Sequence, residues 1–77
     1  MTDITIEDIK RIVGLQLGKH TVSEQDRFLE DLAAESADVA NIVAAVEEKY
    51  HIAIKETEIA KIFTTRDLFE IVKNRLV

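Results

Sequence analysis

Ser36 is the residue of this chain best placed for covalent chemistry. It follows an irregular acidic approach, Phe28-Leu29-Glu30-Asp31-Leu32-Ala33-Ala34-Glu35, and opens the best helical pattern in the sequence, from Ser36 to about Tyr50. A hydroxyl at such a junction has an ordinary use, because its oxygen accepts one of the backbone N–H groups left unpaired in a first helical turn. It also has a sharper one. An exposed serine there can carry a phosphate ester near the positive end of the helix dipole, so the position suits a prosthetic group.

Other chemistries find less support. The chain has no cysteine, which excludes a disulfide framework, a thiolate nucleophile and a Cys-based zinc site. His20 and His51 are far apart and belong to no HExxH arrangement, and no EF-hand loop is present. A serine hydrolase needs a positioned base and an oxyanion hole, whereas this sequence has two glycines and no Gly-x-Ser-x-Gly. Glu47 and Glu48 are adjacent on a helix, so their side chains diverge by about 100° and read as solvated surface rather than an acid–base pair. No intrinsic catalysis is expected.

The elements that must position Ser36 follow from periodicity. Thr5-Ile6-Glu7-Asp8 opens like a capping box with Asp at the third helical position. Apolar residues recur at Ile6, Ile9, Ile12, Val13 and Leu17, one helical face, and Gly18 is a stop. From Lys19 to Glu35 runs a long connection, with Val22, Phe28, Leu29 and Leu32 expected to pin it down and a turn of helix expected near Phe28 to Leu32. In the second helix Val39, Ile42, Val43, Val46 and Tyr50 fall on the core side, with Ala37, Ala40, Asn41, Ala44 and Glu48 opposite. His51-Ile52-Ala53-Ile54 alternates but lacks a partner strand, so Ile52 and Ile54 are expected to turn inward from a loop. Thr57 is the expected cap of a short helix carrying Ile59, Ile62 and Phe63. Thr64 or Thr65 starts the last helix, with Leu68, Phe69, Val72 and Leu76 inward. The expected fold class is all-α, a small four-helix bundle with a long first loop and a short third helix. With no proline, repeat or low-complexity tract, residues 1–77 read as one domain.

These residues together resemble the acyl carrier protein family. Phe28, Asp31 and Leu32 match the family's approach, Ser36 its attachment point and Glu47-Glu48 its helix end; Gly18, Ile52-x-Ile54 and Thr64-Thr65 fall where the family places them. Glu35 stands in place of the usual aspartate and Ala37 in place of the usual leucine. The resemblance implies a 4'-phosphopantetheine arm, taken from coenzyme A and esterified to Ser36, whose thiol carries acyl groups as thioesters. It implies a phosphopantetheinyl transferase meeting Glu35 and Asp38, later enzymes steered by Glu47 and Glu48, and docking on the face of Ala37, Ala40, Asn41 and Ala44. Those alanines imply a specialised set of acyl-activating, condensing or acyltransferase partners, or are simply good helix formers on a solvated face. An acyl chain folded back between the helices is expected to find room beside Ala45 and Ala53. Aminoacyl or D-alanyl cargo, and an unmodified interaction module, are the alternatives.

Charge bears on partners. The net charge is −5, and its distribution is uneven: between Glu30 and Glu58 eight acidic residues face two lysines, a local −6, while the remainder carries +1. Basic partners are expected there, with association that weakens as salt rises, and nucleic acid is not. The start at Met1-Thr2-Asp3 leads into the first helix pattern without a basic or apolar targeting segment, and no apolar stretch is long enough to span a bilayer. A cytoplasmic monomer is expected.

Overall fold

In the computed structural model, residues 4–76 are described; Met1-Thr2-Asp3, the expected lead-in to the first helix, and Val77 lie outside the described residues. The described residues form an all-α bundle: α1 (Ile6–Leu17), α2 (Ser36–Tyr50), a short α3 (Glu56–Ile59) and α4 (Thr65–Leu76).

Capping sets the helix limits. The Thr5 hydroxyl accepts the Asp8 N–H at 3.3 Å while the Asp8 carboxylate accepts the Thr5 N–H at 3.0 Å, the reciprocal box that the sequence announces. Gly18 adopts φ 67° and ends α1, its N–H donating to the Gly14 carbonyl. The same left-handed turn at the end of α2 is made by His51, φ 56°, where a side chain costs more than hydrogen would. Thr64 caps α4, its hydroxyl accepting the Asp67 N–H at 3.1 Å.

α1 packs against both α2 and α4. Ile9 and Val13 from α1, Ile42 and Val46 from α2, and Leu68 and Val72 from α4 are fully buried at their meeting. Such residues remove most of their apolar surface from water, roughly 1.5–3 kcal/mol each. Val39, Tyr50, Phe69 and Leu76, expected inward, are half-buried at its edge. Ile54 is buried and Ile52 half-buried, as the alternation predicts.

The long connection is tied down at Phe28, 1% exposed. Its N–H donates to the Phe63 carbonyl at 2.8 Å, and its carbonyl accepts the Ala34 N–H at 2.9 Å. Arg27 and Thr64 form an isolated antiparallel bridge beside this node. Phe28 to Leu32 form a single turn in which the Arg27 carbonyl accepts the Asp31 and Leu32 N–H groups, the first of these being the i to i+4 bond of one turn of helix.

Three expectations need correction. Leu29 does not pin the loop: it is 54% exposed, because the turn directs Phe28 and Leu32 inward and leaves their neighbour outside. Thr57 is not a cap, since Lys55 is the N-cap of α3 and Thr57 lies inside it. Ile62 and Phe63 both lie beyond α3, in the connection to α4; Ile62 is buried there and Phe63 is 60% exposed. α3 itself buries no residue. Ile59 is half-buried against the core, and polar ties add to it: the Glu58 carboxylate accepts the Lys55 N–H at 3.1 Å and pairs with Arg75 of α4.

Candidate functional site

The start of α2 is built by its own backbone. Glu35 is extended (φ −97°, ψ 167°) and is the N-cap; its carbonyl accepts the Asp38 and Val39 N–H groups, and the Asp38 carboxylate accepts its N–H at 2.9 Å. Ser36 is therefore the first helical residue rather than the cap. Its side chain is exposed and is not spent on closing the helix. Among the described residues the Ser36 and Ala37 amides donate to no protein acceptor, so two N–H groups at the positive end of the helix stay available beside the hydroxyl. Three residues upstream Ala33 holds φ 55°, a left-handed turn made without glycine.

A groove of about 460 Å³ begins at this serine. Ser36, Val39, Ala40, Val43 and Glu47 border it from α2, positions that form a stripe along one side of a helix. Ser36 and Glu47 lie about 16 Å apart along the axis. The facing wall is mainly apolar, with Phe28, Leu29, Ile59, Ile62 and Phe63, and the ion pair of Arg27 and Glu30 also borders it. Ala45 and Ala53 do not line it; Ala45 is half-buried elsewhere and Ala53 is exposed. The room lies between α2 and the stretch that carries Ile59, Ile62 and Phe63, and no single small residue in the sequence announces it.

Ala37, Ala40, Asn41, Ala44 and Glu48 are all exposed and share the outer side of α2. Glu35 is exposed beside them and Asp38 is half-buried. Glu47 differs from its neighbour. It is half-buried, and its Oε2 accepts the Ile54 N–H at 2.8 Å, so its carboxylate holds the chain after α2 against the groove's far end. Periodicity does not reveal this role, because the bond spans seven residues across the left-handed turn at His51.

Acidic charge on this side is only partly neutralised. Glu30 and Asp31 pair with Arg27 at 2.9 and 3.5 Å, and Glu58 pairs with Arg75. The Arg27 backbone N–H, then its guanidinium, hold the Asp31 carboxyl below its usual range. Among the described residues Glu35, Asp38, Glu48 and Glu56 have no basic partner within ion-pair distance. His20 and His51 are both exposed, and no cluster of three or more His, Asp or Glu is placed to hold a metal ion among the described residues. No helix among them is long and apolar enough to cross a membrane.

Fold and site together define a class: a small acidic helical bundle that presents one serine at a helix start beside an apolar groove. No family model matches the chain, but relatives match it over most of its length. It is 44% identical over 64 residues to the acyl carrier protein of Wolinella succinogenes, covering 80% of this chain and 84% of that protein. It is 42% identical over 66 residues to the acyl carrier protein of Helicobacter hepaticus, covering 83% and 87%. With the acyl carrier protein of Sulfurovum sp. it shares 37% over 70 residues, covering 88% and 93%. The chain belongs to the acyl carrier protein family.

Proposed function

We propose that the chain is a non-catalytic carrier, a single domain over residues 1–77, that holds acyl groups as thioesters on a 4'-phosphopantetheine arm esterified to Ser36. The observation that carries this reading is the exposed Ser36, at the first position of α2, bordering an apolar groove. The residues present fit the group. The serine oxygen is accessible, two first-turn amides beside it are uncommitted, and the helix dipole favours a phosphodiester there. The arm supplies a thiol, which a chain without cysteine lacks.

The protein's own work is to hold, shelter and present. The Asp38 and Glu35 backbone bonds fix the first turn and keep the Ser36 hydroxyl out of the capping network. Glu35 and Asp38 offer uncompensated negative charge to a basic phosphopantetheinyl transferase, and Glu48 offers it to later acyl-handling enzymes. Ala37, Ala40, Asn41 and Ala44 give those partners a low, weakly apolar face, suited to a specialised set of enzymes. Glu47 acts on the groove rather than on partners. The apolar wall favours acyl cargo over aminoacyl cargo, whose ammonium would lose hydration against it. The carrier works in the cytoplasm as a monomer.

Intact mass after incubation with coenzyme A and a broad-specificity phosphopantetheinyl transferase tests the reading. A gain of one phosphopantetheine on the parent and none on folded Ser36→Ala supports it. If the folded parent gains nothing with transferases from several sources, including its own, the chain is an unmodified interaction module instead.

A further inference from the structure

Arg27 borders the same groove as Ser36, and among the described residues it is the one basic residue that does. The backbone keeps the two near each other. The Phe28 carbonyl accepts the Ala34 N–H, so one hydrogen bond ties the neighbour of Arg27 to a residue two positions before Ser36. The exposed Arg27 guanidinium pairs with Glu30 at 2.9 Å and with Asp31 at 3.5 Å. The fold depends on neither pair. Exposed pairs three and four residues apart are weak, and the Asp31 carboxylate already accepts the Arg27 backbone N–H at 2.9 Å, which closes the turn without the side chain. Arg27 is a cation that can be redirected at little cost.

We propose that Arg27 is a second binding residue for the arm: its guanidinium leaves Glu30 and takes the phosphodiester carried on Ser36. The inference rests on the carrier reading and adds a residue that the reading does not use. Two carboxylates, Glu30 and Glu47, already border this groove, and a phosphodiester brings a further negative charge. Like charges along a concave, partly apolar surface repel, and Arg27 is the counter-charge at hand. A guanidinium suits the task better than an ammonium, because two parallel N–H groups meet two phosphate oxygens. The uncommitted Ser36 and Ala37 amides are available to the same ester from the helix side. The exchange also frees the Glu30 carboxylate, so loading unmasks an acid that the unloaded protein keeps paired.

The test loads parent, Arg27→Gln, Arg27→Lys and Glu30→Gln from coenzyme A, with intact mass confirming the arm on each. Loading itself tests the carrier; the resonances that follow test Arg27. In the parent, loading should shift the Arg27 Nε–H resonance and slow its exchange with water several-fold. Glu30→Gln removes the competing carboxylate and should enlarge both effects. The phosphorus resonance of the loaded phosphodiester should move between parent and Arg27→Gln, with Arg27→Lys restoring only part of the parent value, and the difference should shrink as salt rises. Arg11→Gln, a cation of α1 that does not border the groove, should leave it unmoved. The Phe28 and Ala34 amides should hold their positions in unloaded Arg27→Gln, because backbone groups make their bonds, which separates loss of the contact from loss of the loop. An Arg27 Nε–H resonance unchanged by loading overturns the proposal, as does the same phosphorus resonance in parent and Arg27→Gln. A folded parent that takes no arm counts against the carrier instead.

Discussion

Glu47 separates a docking charge from a structural one, and two substitutions distinguish them. Its Oε2 accepts the half-buried Ile54 N–H at 2.8 Å. Glu47→Ala removes the acceptor and leaves that amide without a partner, with water only partly able to replace it. A hydrogen bond to a charged acceptor contributes roughly 1.5–3 kcal/mol, and partial exposure places this one near the lower end. A loss of about 1.5 kcal/mol lowers the melting temperature of a domain this size by about 6–12 °C. Glu47→Gln keeps a carbonyl acceptor at the same reach and should cost about half as much, ~0.7 kcal/mol. Thermal and urea unfolding of the unloaded protein, followed by helical circular dichroism, gives both values. The chain from His51 to α3 should also loosen in Glu47→Ala, raising amide exchange at Ile54. Equal losses for Ala and Gln, or none for Ala, would refute the assignment and return Glu47 to the exposed acidic set with Glu48.

Other consequences follow from single positions. Thr65 is fully buried and its hydroxyl has no partner, so Thr65→Val should stabilise by about 1 kcal/mol in urea unfolding. Ala33 holds φ 55°, and Ala33→Gly should raise stability by up to ~1 kcal/mol without slowing loading of Ser36. A methyl added at Gly14 would come within 2.8 Å of the Lys19 carbonyl, so Gly14→Ala should destabilise by about 1 kcal/mol despite better helix propensity, measured by the same unfolding curves. Acid should weaken the fold. Asp8, Asp31 and Glu58 are held below their ordinary values, chiefly by backbone N–H bonds from Thr5, Arg27 and Lys55. Carboxylates depressed in the folded state contribute stability that is fully present above their unfolded values and lost as pH falls through the folded ones. Urea midpoints should therefore hold near neutrality and drop below about pH 4.5, less steeply in Glu58→Gln.

Where a local pattern settles a local bond, the sequence is readable to the residue. Thr5 and Asp8 reciprocate three positions apart, Gly18 ends α1, and Ile9, Val13, Ile42 and Val46 recur on helical faces that meet. Ser36 is legible as a helix start, though its exact place is not: a capping hydroxyl and a first helical residue differ by one position, and Glu35 takes the cap. Apolar type alone misplaces Leu29 and Phe63, because a groove needs apolar side chains that are not buried. Glu47 fails for a related reason. Its partner is a backbone amide seven residues on, brought close by the turn at His51, and no local pattern of the capping-box kind reaches that far. The groove lies between α2 and the stretch from Ile59 to Phe63, a placement set by the whole bundle rather than by Ala45 or Ala53.

Ser36 and the groove beside it are expected to work as one device, and methyl-resolved NMR can follow both at once. Spectra of the protein carrying the bare arm on Ser36 are compared with those of the octanoyl-loaded form. Shifts should concentrate at Val39, Val43, Ile59 and Ile62, which line the groove, with Ile9 and Val72 in the α1 and α4 core hardly moved. Shifts absent from the groove methyls, or spread evenly through the core, would contradict it.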